Sequence, residues 1–387
     1  MTQSVEASGR LSTEDEKPHP VLPHLQELEV WRALAAFAVL LTHAGFMSGA
    51  IGRHVLPGFL ARMDIGVAVF FVLSGFLLYR PHAIAVARGE SPPRLRRYAI
   101  RRVARIGPAW AAVLVGVLFL VPETRSASRA QWLANLVHVQ ALRVEWDLPG
   151  LAQLWSLSTE VAFYIALPII AYVIRRLTLN RSAITQLSAV AGLVVVAWLF
   201  RWAAHSWLPE TFAWHRTLPA MLDWFAVGMV LAVIMSFHER WALAIHVLRR
   251  SGNAFLLSAA SIFWVLTTSL AGPYDLSAPS LWQASVKHGG YAVVALLLIY
   301  PSALGAHTVL TGLLTSRPLA YLGKISYAFF LWHMPVMFWV RATLGHELFT
   351  GHFWSTVIIT TGVTLALSAL SWHLLERPVL GVARRRS

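Results

Sequence analysis

An arginine and a histidine, with ten residues between them, interrupt the apolar stretch LEVWRALAAFAVLLTHAGFM that runs from Leu28 to Met47. In a helix, the step from Arg32 to His43 turns through about 1100°, some 20° beyond three full turns, and rises about 16 Å. Both side chains then lie on one face at two depths. Ionisable groups inside hydrocarbon cost on the order of 3 kcal/mol each on insertion scales, so they usually face a bundle interior or a wet cavity. A guanidinium in such a place can hold a phosphate, and an imidazole of ordinary pKa, about 6.5, can take a proton from a hydroxyl. The bland alternative is an arginine snorkelling to the headgroups and a histidine bonding across helices.

Other ionisable residues recur within or beside apolar runs: Asp64, Glu160 in LWSLSTEVAFY, Asp223, His333 in LWHMP, and the pair Arg102 and Arg105 in RRVARIGP. The two arginines, three apart, share a helical face. No paired histidine spacing of a zinc-binding helix occurs, so no metal is expected.

The elements that must position these groups are membrane-spanning helices. Apolar segments of spanning length lie at about 29–48, 65–80, 106–122, 155–174, 186–203, 217–236, 254–271, 285–304, 320–340 and 355–375. This predicts an all-α polytopic membrane protein of about ten helices. Residues 1–27 read as a disordered cytoplasmic tail without the basic and apolar segments of a cleavable signal peptide, 28–376 as the transmembrane domain, and 377–387 as a basic cytoplasmic tail. Lys and Arg in alternate connections favour one side by more than two to one, which puts both termini in the cytoplasm. With that orientation Arg32, Arg102 and Arg105 fall at the cytoplasmic level. His43, Glu160, Asp64, Asp223 and His333 fall in the outer half.

Composition excludes several other classes. The chain is 57% hydrophobic and 13% charged, with a mean hydropathy of +0.59, far too apolar for a soluble domain. The net charge of +14 is almost all arginine, lysine occurring only at 17, 287 and 324, and it sits between apolar runs; it follows membrane topology and does not indicate nucleic-acid binding. Without cysteine there is no disulfide, thiolate metal site or cysteine nucleophile.

A phosphate-bearing donor suits the inner arginines, and coenzyme A, with its pyrophosphate, 3′-phosphate and pantetheine arm, could thread a thioester toward the outer groups. There His43 could act as general base on an acceptor hydroxyl while Glu160 fixes its tautomer.

Arg32 and His43 after Leu28 and Glu29, GVAVFFVLSGFLLYRP from Gly66, RRVARIGP from Arg101, LWSLSTEVAFY from Leu154, LGKISYAFFLWHMP from Leu322 and ERP at Glu376 together resemble the acyltransferase 3 family of integral-membrane O-acyltransferases. The resemblance implies a ten-helix domain in the bacterial cell membrane that uses cytoplasmic acyl-CoA, often acetyl-CoA, to acylate hydroxyls of saccharides, lipids or secondary metabolites. It gives functional weight to Arg32, His43, Arg102 and Arg105. Glu29, Val30 and Trp31 stand where many members carry Asp before Gly-Leu, a departure that keeps the charge. Some members carry a further esterase-like domain after the helices; here such a partner is expected to be separate.

Other polar residues read as structural. Ser74 and Gly75 suit close helix packing, with no base placed beside Ser74 by sequence. Ser326 and Tyr327 suit packing, and His333 either lines the cavity or bonds a carbonyl freed by Pro335. Asp223 is expected to pair with Arg216. Trp132, Trp146, Trp207 and Trp214 in the outer loops could stack on a sugar ring. A transporter of acyl groups or lipids is the competing class, but no internal repeat or matched pair of broken helices supports it. Oligomeric state is not encoded in these patterns.

Overall fold

The computed structural model describes residues 25–52, 57–178, 182–274 and 277–386. Most of the proposed N-terminal tail, together with Arg10, Lys17, Arg53 and Arg181, lies outside them. The described residues are all-helical, with no strand. Each of the ten apolar segments lies largely within a helix: α1 (Leu25–Ser48), α2 (Gly66–Arg88), α3 (Leu95–Leu120), α4 (Leu154–Leu177), α5 (Ala183–Trp207), α6 (Leu218–Ser236), α7 (Gly252–Leu266), α8 (Leu281–Leu304), α9 (Arg317–Leu344) and α10 (Phe353–Ser371). A π-helical turn, Trp372–Glu376, leads into α11 (Arg377–Arg386), so the basic segment read as a tail is largely helical.

Seven helical segments are long and apolar enough to cross a membrane, and these contain α1 to α6 and α10. The other three differ from them for physical reasons. α7 has only 15 residues, and α8 carries Lys287 and His288 near its start. In α9 every residue from Ile325 to Met337 is buried. A helix enclosed by protein on all sides is not selected for lipid solubility, and α9 carries Arg317, Lys324 and Arg341 as well as His333. Lipid-type surfaces lie elsewhere, as exposed Ile165 and Ile169 on α4 or Val195 and Leu199 on α5 indicate. The chain is a multi-pass membrane protein.

Two helix pairs organise the bundle, α1 against α9 and α2 against α6. Glycine permits the second pair to close: a Cβ at Gly75 would sit 2.0 Å from the Phe225 carbonyl oxygen, and one at Gly228 would sit 2.0 Å from that of Val72. Similarly, a Cβ at Gly66 would meet the Ala35 carbonyl oxygen on α1 at 2.2 Å. Such small-residue crossings draw backbones together where lipid offers no hydrophobic drive for association. α2 therefore touches both α1 and α6, and it also carries Ser74.

Pro335 leaves the Leu331 carbonyl without its helical donor, and Gln153 Nε2 donates to that oxygen at 2.9 Å, tying α9 to the start of α4.

Gly228→Ala should lower the thermal stability of the detergent-solubilised protein by about 3 kcal/mol or more, because the new methyl meets backbone that cannot yield. Gly192→Ala and Gly362→Ala, where an added Cβ meets nothing within 4 Å, should be neutral or gain up to about 1 kcal/mol from helix propensity. Equal losses at all three positions would contradict this packing.

Candidate functional site

His43 lies five residues before the end of α1 and meets α9. Its Nδ1 is 3.0 Å from His333 Nε2, and the two rings stack at 5.2 Å between centroids. The Nδ1 of His333 is 2.6 Å from the Phe330 carbonyl oxygen. A carbonyl only accepts, so His333 Nδ1 carries the proton. With both rings neutral, His333 Nε2 is then the acceptor and His43 Nδ1 the donor. The remaining lone pair belongs to His43 Nε2, the arrangement a general base requires. Neither role weighed for His333 is met: it is fully buried and does not line the cavity, and the carbonyl it bonds is not the one Pro335 frees; it orients His43 instead.

His43 lines a cavity of about 380 Å³ together with Thr42, Asp64, Gln153, Trp155, Arg201, Arg216, Trp224, Lys287, His288 and Tyr291. The cavity lies where α1 ends and α2, α4, α6 and α8 begin. Lys287 Nζ is 2.6 Å from Asp64 Oδ2, and the Tyr291 hydroxyl also donates to Asp64. Asp223 does not pair with Arg216. Its two oxygens lie 2.9 and 2.8 Å from His288 Nε2, and Trp224 stacks on the His288 ring at 4.5 Å. Arg216 instead reaches Asp147 at 2.7 Å. Arg216 precedes α6, whereas Asp223 lies in its second turn, on the face turned to α8. Burial pushes the Asp147 carboxyl above its usual range, against the pull of Arg216.

Glu160 is placed differently from its expected role. It is bonded to neither histidine; its Oε1 accepts from the Ser74 hydroxyl and, at 2.7 Å, from the Tyr164 hydroxyl. α2 stands between α1 and α4, so a carboxylate on α4 finds the α2 serine before it can reach an α1 imidazole. The expectation that Glu160 fixes the His43 tautomer is thus corrected: His333 occupies that position. A base does stand beside Ser74 after all, and it holds the serine as a hydrogen-bond donor.

Glu160 belongs to the arginine end. The Arg102 guanidinium lies 5.8 Å from the centre of the Tyr164 ring, and the Tyr98 hydroxyl donates to the Tyr164 carbonyl at 2.9 Å. Arg105 lies over Tyr327 and Trp372 and reaches Glu376 at 3.4 Å. The π-helical turn before α11 aims the fully buried Glu376 at this arginine, a widened turn of the kind often found at functional sites. Arg32 and Arg102 each keep a buried Nε without a partner. Two guanidiniums with unused donors and a third held by a carboxylate form an anion site in waiting.

Three voids are lined by these residues. A groove of about 740 Å³ is lined by Arg94, Arg97, Arg101 and Arg102 with Tyr98 and the Pro92–Pro93 turn. A narrow cleft of about 20 Å³ is lined by Arg32, Glu160 and Tyr327, and it shares Val67, Ser156 and Phe330 with the His43 cavity. Arg102, which lines the groove, packs on Tyr164, and Tyr164 donates to Glu160, which lines the cleft.

Sequence reasoning missed Tyr164, one helical turn beyond Glu160, and His288, whose signal was an ionisable pair, Lys287–His288, inside an apolar run. Of the four loop tryptophans proposed to stack on sugar, none lines the cavity; Trp155 and Trp224, at helix starts, do so instead. No group of three or more potential metal ligands occurs among the described residues.

A helical membrane bundle with a base-type histidine pair at one end and an arginine cluster at the other belongs among integral-membrane group-transfer proteins in kind. The chain is a member of the acyltransferase 3 family, whose profile, described as an acyltransferase domain, matches residues 25–373. It is similar to the peptidoglycan O-acetyltransferase OatA of Listeria monocytogenes, 26% identical over 375 residues that cover 92% of this chain and 56% of that protein. A putative peptidoglycan O-acetyltransferase of Bacillus subtilis, YrhL, is 26% identical over 93% of this chain and 55% of its own length. A putative membrane-bound transacylase of Komagataeibacter xylinus, BcsY, is 27% identical over 93% of this chain and 84% of its own length. The chain thus spans just over half the length of the first two. No solved structure matches it.

Glu376→Ala, which leaves Arg105 buried without its counter-charge, should destabilise the protein by on the order of 3 kcal/mol in a detergent melt. Replacing both residues with methionine should restore most of the loss. A double variant as unstable as the single one would show that the ion pair is not what the turn protects.

Proposed function

We propose that this protein is a membrane O-acyltransferase that moves an acyl group, acetyl in the first instance, from acyl-CoA to a hydroxyl of a saccharide-type acceptor. In this reading the donor's phosphates lie in the arginine groove, held by Arg102 with Arg32 and Arg105, and the thioester reaches toward the cleft. The acceptor enters the His43 cavity. His43 Nε2 takes the hydroxyl proton as the oxygen attacks the thioester carbonyl, the carbon–sulfur bond breaks, and the departing thiolate takes the proton from the imidazolium. His333 holds the His43 ring in the required tautomer. Glu160, clamped by Ser74 and Tyr164, supplies a fixed negative charge beside Arg32 at the waist.

The reading also places the arginine end and both termini on the cytoplasmic side, with all ten helices spanning. What supports it most is the sharing of Val67, Ser156 and Phe330 between the cleft at Arg32 and the cavity at His43. A donor bound at one end then has a route to a base at the other. The names of two relatives, both given as peptidoglycan O-acetyltransferases, support acetyl transfer to a glycan hydroxyl.

Purified protein given radiolabelled acetyl-CoA tests the scheme. His43→Ala should lower turnover by about a hundredfold or more, the usual worth of a general base, with donor affinity unchanged. Arg102→Ala should weaken donor binding. Equal loss of binding in both variants would refute the division of roles. His333→Ala should lower kcat at constant KM and shift the pH profile. An unchanged profile would remove His333 from the mechanism. Intact-mass spectrometry after donor alone should find no acylated protein; a stable acyl adduct on His43 would replace direct transfer with a two-step route.

A further inference from the structure

The His43 cavity contains one cation that the described structure leaves without a counter-ion. Three basic side chains line it. Lys287 is paired with Asp64 at 2.6 Å and Arg216 with Asp147 at 2.7 Å. Arg201, on the last turns of α5, is 8% exposed and has no carboxylate within ion-pair distance among the described residues. Its hydrogen bond is a long one, 3.5 Å from Nη1 to the Ala220 carbonyl. Asp223 is within electrostatic reach, but its oxygens are occupied by His288 and the Trp224 N–H.

Trp198 and Trp214 hold the guanidinium in place, 5.9 and 5.6 Å away between Cζ and ring centre. A buried arginine fixed between two aromatic rings yet lacking an anion is costly to retain for packing alone. Its planar fork matches a carboxylate or phosphate. Across the same cavity the partly exposed Trp155 provides flat apolar surface next to polar groups, which suits the face of a sugar ring.

We infer that the acceptor is an anionic saccharide whose carboxylate or phosphate is held by Arg201 while another of its hydroxyls faces His43. This rests on the acceptor site assigned above and adds the charge class of its occupant. Arg201 is a binding residue in this scheme and takes no part in proton transfer.

Binding to the full-length protein in detergent, measured without any acyl donor, tests this. The probes are a glucuronic-acid disaccharide, its methyl ester, its glucose counterpart and glucose 6-phosphate beside glucose. The acid should bind at least tenfold more tightly than the ester and the neutral sugar, or the 6-phosphate at least tenfold more tightly than glucose. Whichever anion wins identifies carboxylate or phosphate. Arg201→Gln should abolish the discrimination, Arg201→Lys should keep part of it, and His43→Ala should leave it intact. Charged and neutral probes binding alike, or discrimination surviving in Arg201→Gln, would overturn the inference. Where Arg201→Gln does not fold, the acid–ester comparison on the unaltered protein decides alone. Turnover without charge discrimination removes this inference and leaves the transferase reading in place; discrimination without turnover does the reverse.

Discussion

The hydrogen bond between His43 and His333 constrains the rest of the molecule. It needs two imidazoles in a fixed relation inside a membrane bundle, one of them fully buried. His333 is anchored by the Phe330 carbonyl on its own helix, and that anchor determines which nitrogen of His43 stays free. For the rings to meet, α1 and α9 must pack closely along their length, and a Cβ at Gly323 would sit 2.5 Å from the Glu29 carbonyl oxygen. The helices around them are arranged accordingly: α9 is enclosed on all sides, Pro335 is tolerated because Gln153 takes the freed carbonyl, and α2 is wedged between α1 and α6.

The same packing explains why the polar groups fall into two sets. α2 separates α1 from α4, so Glu160 joins Ser74, Tyr164 and the arginines, whereas Asp64, Lys287, His288 and Asp223 gather around His43. Burying this much charge costs free energy that only pairing or ligand binding offsets. Most groups are paired. Among the exceptions, the unused Nε donors of Arg32 and Arg102 and the unpaired Arg201 line voids where a ligand is expected.

The positions of the helices were legible in the sequence, and the partners of their polar side chains were not. The apolar runs located ten helices, and the eleven-residue step from Arg32 to His43 placed two functional levels on one helix. The family motifs pointed to Arg102 and Arg105. Which neighbour each side chain would meet depends on helix order around the bundle, and no single helix carries that information. Glu160 was therefore assigned to His43 because the apolar runs put both at a similar level, whereas Glu160 lies at the arginine end with α2 between it and α1. Asp223 was assigned to Arg216, a sequence neighbour at the same end, when its partner was His288 on another helix. Two helices fell short of the apolarity expected of a span for a related reason. α8 and α9 face protein and a polar cavity, so their composition records that interior environment more than it does lipid.

The central claim is that donor and acceptor reach one reaction centre from opposite ends of the bundle. Proteoliposomes with the protein in a single known orientation test it directly, with labelled acetyl-CoA confined to one face and a saccharide acceptor to the other. The account predicts acylated product only when acetyl-CoA is on the Arg102 face and the acceptor on the His43 face. Product formed at the same rate with both substrates on one face, or with the two exchanged, would contradict it.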